Sequence, residues 1–93
     1  MAIKINIPSA FQRLTGGVGN VELEAANLEE LVRALESKFP DLKNHLRDEK
    51  GQLRRFLNVY VNEEDIRFLG NQAYRFQDGD EVMLVPSIAG GRS

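Results

Sequence analysis

Apolar and polar residues alternate from the start of the chain. In AIKINIP, Ile3, Ile5 and Ile7 fall on one side and Lys4 and Asn6 on the other. A period of two predicts a half-buried strand, and Pro8 stops it. A loop follows, containing Phe11, Leu14 and the turn glycines Gly16 and Gly17; then VELEA alternates again. Val21, Leu23 and Ala25 point in and Glu22 and Glu24 face water, so the two runs predict a β-hairpin with a long connection. The period then changes. Leu28, Leu31, Val32, Leu35 and Phe39 form one stripe at helical spacing. Asn27 stands at the N-cap position with Glu30 three residues on, as in a capping box. Pro40 ends the helix by pushing the residue before it out of the helical region.

Beyond Pro40 the pattern is weaker. DLKNHLRDEKGQ is polar apart from Leu42 and Leu46, which predicts a half-helix and a loop. RFLNVYVN places Leu57, Val59 and Val61 on one face and Phe56, Asn58 and Tyr60 on the other. NEED reads as a turn, IRF as a short strand, and Gly70 to Gln77 as an irregular connection. Asp78-Gly79-Asp80 has the chemistry of a hairpin turn. EVMLVP is the last strand, with Val82 and Leu84 opposite Met83 and Val85. The order β-β-α-β-β-β, with a single long helix, predicts a two-layer α+β domain, because one helix covers one face of one sheet. A hairpin, a crossing helix and returning strands make the β-grasp arrangement, a mixed sheet of four to five strands. The first and last strands are expected to pair in parallel at its centre.

At 93 residues the chain is long enough for one core and too short for two. It divides into a domain over residues 1–86 and a tail over 87–93. Cysteine is absent, which excludes disulfides, thiolate catalysis, a persulfide on the chain and cysteine-held zinc. No run is long and apolar enough for a membrane span, and no targeting pattern opens the sequence, so a cytoplasmic location is expected, with no membrane partner. A formal charge of −2 argues against nucleic acid as a partner.

The residue types that could carry chemistry do not converge. His45 is the sole histidine and stands in a polar segment. Glu63, Glu64 and Asp65 make an acidic run inside a turn, and Asp78-Gly79-Asp80 lacks the other ligand positions of a calcium loop. Gly16-Gly17-Val18-Gly19 lacks the lysine and the strand-to-helix setting of a phosphate loop. Arg47, Lys50, Arg54 and Arg55 form a basic patch that reads as a solvated loop or as a docking site for an acidic partner. No catalytic residue and no metal site is expected. Phe56, Tyr60, Met83 and Val85 would instead form an apolar patch on the uncovered face of the sheet, a candidate partner surface.

The end of the chain, SIAGGRS, is the most distinctive stretch. Gly90 and Gly91 lack a Cβ, so this segment can pass through a channel too narrow for side chains. Ser87 through Gly91 has little with which to anchor on a core and is expected to project, either as a frayed terminus or as a segment another protein's active site can take in.

Three segments in order, VNEEDIRFLG, DGDEVMLVP and the terminal AGG, make the chain resemble the ThiS/MoaD sulfur-carrier group of ubiquitin-like proteins over essentially its whole length. The acidic stretch ending in R-F is most similar to the carriers of cysteine- and homocysteine-type sulfur amino-acid biosynthesis. The resemblance implies a protein co-substrate, not an enzyme. In this group an ATP-dependent activating enzyme adenylates the final glycine, here Gly91, and sulfur then displaces AMP to leave a thiocarboxylate. No cofactor is bound; ATP is used by the activating enzyme. The tail Ala89, Gly90 and Gly91 enters the partner, and the apolar sheet surface docks it. Arg92-Ser93 departs from the simplest members, because it leaves Gly91 as an amide. Relatives carry such an extension for removal by a JAMM-type metalloprotease; alternatively the pair is foreign to the natural protein. The implied partners are an adenylating enzyme, that protease and a sulfur-accepting biosynthetic enzyme, with the free carrier a monomer. A ubiquitin-like modifier conjugated through Gly91, or a small subunit of molybdopterin synthase, are the alternatives.

Overall fold

In a computed structural model, which describes residues 1–54 and 57–86, the chain forms one five-stranded sheet with its helices on one side. Strand β1 (Ala2–Asn6) pairs antiparallel with β2 (Asn20–Glu24) and parallel with β5 (Glu81–Pro86). Strand β3 (Leu57–Val61) pairs antiparallel with β5 and with the two-residue β4 (Glu64–Asp65). The order is β2-β1-β5-β3-β4, so the first and last strands meet in parallel at the centre, as the sequence predicts. This is the β-grasp arrangement.

Helix α2 (Leu28–Lys38) covers one face and buries Leu28, Leu31, Val32 and Leu35. Its start is the predicted one: Asn27 Oδ1 accepts from the Glu30 amide at 3.0 Å. The Glu30 carboxylate accepts from the Ala26 amide at 2.8 Å, one residue earlier than in the standard capping box. Phe39 leaves the helical region and Pro40 opens a 3-10 turn, Pro40–Leu42, that runs into the short helix α3 (Lys43–Leu46). Leu42 and Leu46 are fully buried, so the two apolar residues of that polar stretch close one end of the core. Helix α1 (Ser9–Gln12) buries Phe11, where the sequence shows only a loop. Ile3 and Ile5 lie beneath α2 with no exposed surface, alongside Val59, Val61, Val82 and Leu84.

In the second half of the chain two segments differ from the sequence expectation. IRF is not a strand: Ile66–Leu69 is a 3-10 turn capped by Asp65, whose side chain accepts from the Arg67 amide. The strand is Glu64–Asp65, reached from β3 through Asn62 and Glu63, which have φ of 51° and 74°. Two successive positive φ values fit the tight turn that suits a right-twisted hairpin. Asp78-Gly79-Asp80 is likewise not a hairpin turn. It leads from an irregular connection into β5, which pairs with β1 and β3 on either side. Gly79, at φ 87°, takes the left-handed conformation there.

Candidate functional site

The face of the sheet opposite α2 is uncovered by any described helix, and strand alternation decides what it shows. Along β3, Leu57, Val59 and Val61 are buried and Asn58 and Tyr60 are half-buried; along β5, Val82 and Leu84 are buried while Met83 is 44% exposed. Cross-strand register aligns these residues. Tyr60 lies opposite Met83, and Asn58 opposite Val85. Side chains directly opposite on one face have Cβ atoms about 4.5–5.5 Å apart. Tyr60, Met83 and Val85 therefore share the uncovered face of the sheet. These residues span β3 and the last strand, which ends at Pro86. Phe56 lies outside the described residues, as do Ala89, Gly90, Gly91, Arg92 and Ser93.

At the edge, Asp65 pairs with Tyr60, and Arg67 folds back over it with Nη2 donating to Oδ2 at 2.6 Å. The hydrogen bonds from the Arg67 side chain and backbone hold the Asp65 carboxyl below its ordinary range, and the same pair raises Arg67. Phe68, next in the 3-10 turn, is 81% exposed. The sequence reading missed this residue, because a strand over IRF would have put Ile66 and Phe68 on one face.

The other end of β5 is fixed by a buried carboxylate. Asp80 accepts from the Tyr74 hydroxyl at 2.8 Å, the Gln77 amide at 2.9 Å and the Asn62 side-chain amide at 3.0 Å. Burial pushes this carboxyl up, and the hydrogen bonds from Gln77, Asn62 and Tyr74 outweigh it, leaving Asp80 below the ordinary aspartate range. Burial and the nearby carboxylate raise the Tyr74 phenol. Asn62 also closes the sheet, donating its amide to Glu81 O and accepting from Glu81 N on its side-chain oxygen. Asp78 accepts from the Ala2 amide at 2.9 Å. The DGD triplet is thus an organiser of strand ends.

The remaining candidates have structural places. His45 is exposed and packs edge-on to Phe11, ring centroids 5.8 Å apart. Gly16 and Gly17 form an open turn. Arg47 is only 15% exposed and is spent within the fold: Nε donates to Glu36 at 2.6 Å, Nη2 to Glu29 at 3.1 Å and Nη1 to Gly51 O at 2.8 Å. Arg54 donates to Asn44 O, and Arg55 lies outside the described residues. The basic patch is therefore partly a clamp that holds the 47–54 loop on α2. Among the described residues no group of acidic or histidine side chains could hold a metal, and no helix is long and apolar enough to cross a membrane.

With this geometry in place, comparisons with known proteins are specific. The ThiS family model matches residues 5–91. The sulfur carrier protein CysO of Mycobacterium tuberculosis is 37% identical over 93 residues, covering 98% of this chain and 100% of its own. Among solved structures, a chain in the Amycolatopsis orientalis BexX/CysO complex superposes with a TM-score of 0.83 at 39% identity, covering 97% of this chain and 100% of that one. The crystal structure of M. tuberculosis CysO gives 0.81 at 34%, over 92% of this chain and 99% of its own. A family model matched over residues 5–91 and a curated relative matched over its full length place the chain in the ThiS family, to which it belongs.

Proposed function

We propose that this protein is a sulfur carrier of the cytoplasm, a co-substrate whose reactive group is its own backbone at Gly91. The observation that carries this reading is the family match, which runs to Gly91 and stops there. The similarity to CysO, named a sulfur carrier, supports it.

The chemistry requires a free carboxylate at Gly91, and in this sequence Arg92 and Ser93 follow it. Water, directed by a JAMM-type metalloprotease, cleaves the Gly91–Arg92 amide and releases the dipeptide. A carboxylate oxygen then attacks the α-phosphorus of ATP in an activating enzyme, pyrophosphate leaves, and the acyl-adenylate forms. Hydrosulfide adds to the acyl carbon and AMP departs with the electron pair of the broken C–O bond. The product is a thiocarboxylate that an acceptor enzyme uses to build cysteine, homocysteine or a related thio-compound. A carboxylate is a poor electrophile until its oxygen leaves easily, which is why ATP is consumed. The chain's own contributions are a slim terminus and a docking face. Tyr60, Met83 and Val85, joined by Phe56, seat the carrier on its partners. The A. orientalis CysO is found in a complex with BexX, which fits a carrier that docks on other proteins.

The test is the intact mass of the protein from its own cells. A species lacking Arg92 and Ser93, part of it heavier by one oxygen-to-sulfur exchange, is expected. Full-length mass alone, under high sulfur supply and high demand, would refute the reading, and higher-mass conjugates on lysines would replace carriage by protein tagging.

A further inference from the structure

The open face is not uniform along the strands. One two-residue step from the Met83–Tyr60 row, on the side away from Pro86, lies a second row. Glu22 on β2 pairs with Lys4 on β1, and Lys4 pairs with Glu81 on β5. All three side chains are exposed, and none takes part in the ion pairs formed among the described residues. The row alternates in charge, negative, positive, negative, across three neighbouring strands. Beside it lie Asn6 and Asn20, paired with one another, and these residues with Val21 line a shallow basin of about 390 Å³. Its inner end is fixed in the sheet, because the Glu81 amide and carbonyl are both bonded to Asn62.

Strands stand about 4.8 Å apart, so Glu22 and Glu81 flank Lys4 across roughly 10 Å, and a two-residue step along a strand is roughly 7 Å. We propose that this row is a charge key which fixes the direction in which a protein partner docks on the carrier. The partner it fits has an apolar contact for Tyr60, Met83 and Val85 and, about 7 Å further from the tail, two basic side chains about 10 Å apart. An apolar patch alone is non-directional. A partner seated on it could point its active site toward the tail or away from it. The key removes that ambiguity, since the reversed pose would leave its basic groups over the apolar end and the two glutamates without partners. The proposal deepens the carrier reading and rests on it.

The experiment uses the organism's own ATP-dependent activating enzyme and the carrier ending at Gly91, whose described fold lies within residues 1–86. Adenylation is followed by pyrophosphate release for the unaltered carrier, for Glu22→Lys/Glu81→Lys, and for a control of equal charge change at exposed positions elsewhere, Asp41→Lys/Glu49→Lys. Rim charges act mainly through encounter and are sensitive to salt. The key predicts a KM for carrier raised at least tenfold in the first variant, with kcat held. It also predicts that most of the rise in KM between 50 and 300 mM salt seen with the unaltered carrier is lost. The control should stay within twofold. Equal behaviour of the two variants would overturn the key and leave the carrier reading standing. Failure of the unaltered carrier to be adenylated would overturn both. Thermal unfolding of each variant separates docking from a folding defect.

Discussion

Asp80→Ala tests how the last strand is held. The side chain is 6% exposed and accepts three hydrogen bonds, from Tyr74, Asn62 and Gln77. Hydrogen bonds to a charged group contribute about 1.5–3 kcal/mol each when fully desolvated. Here Asn62 and Gln77 are exposed enough to rehydrate and Tyr74 is half-buried, so about 1 kcal/mol apiece is the better figure and the loss sums to about 3 kcal/mol. For a domain of this size about 1 kcal/mol shifts Tm by roughly 4–8 °C, so a fall of more than about 10 °C is expected. Urea unfolding followed by circular dichroism measures the free energy directly. A cycle with Tyr74→Phe should show about 1 kcal/mol of coupling, because both changes remove the same 2.8 Å bond. A loss below about 1 kcal/mol with no coupling would refute the view that Asp80 organises the strand ends.

Four further outcomes follow from the same geometry. Stability should be flat near neutral pH and fall as pH drops below about 4.5, because Asp80, Asp65 and Glu29 are held below their ordinary values in the fold and the unfolded chain binds the proton first; Asp80→Asn should show a shallower acid limb in pH-dependent urea titrations. Arg47→Ala should cost about 1–3 kcal/mol by leaving Glu36 half-buried and unpaired, and Arg47→Lys should recover little of it, since one ammonium cannot span Glu36, Glu29 and Gly51 O together. Leu35→Ala, at a position with no exposed surface, should cost about 2–5 kcal/mol in the same denaturation assay. Met83→Ser should change stability by less than about 1 kcal/mol and yet raise the carrier's KM with the activating enzyme, a split that a purely structural residue would not give.

How much of this was legible depends on how each element is specified. Strands β1, β2, β3 and β5 and helix α2 carry their own signal, because burial on one face imposes a period on the sequence. Their pairing order is not carried by that period, and the structure supplies it. Helices α1 and α3 and strand β4 span two to four residues, too short for a period. Their conformation is set by contacts distant in sequence: Phe11 and Leu46 are drawn into a core built by other elements. IRF alternates like a strand, but the capping bond from Asp65 turns it into a 3-10 helix and separates Ile66, which is buried, from Phe68, which is not. Tyr60, Met83 and Val85 could be placed on the uncovered face because their neighbours in alternation are unmistakably core. The role of Asp80 was not, since a turn aspartate and a buried acceptor look alike until the donors from Asn62 and Tyr74 are brought to it.

The central place of β5 has a mechanical consequence. A pull applied at Pro86 in the direction of the strand loads β5 along its length. The bonds joining β5 to β3 run across that direction from Pro86 inward, and those to β1 join them from Met83 to Glu81, so the load is carried in shear, first by one ladder and then by two. A pull at right angles to the strand would instead peel it from its neighbour, one bond after another. The sheet thus meets such a pull with bonds that are loaded together, and it grips its last strand from both sides at Val82 and Met83.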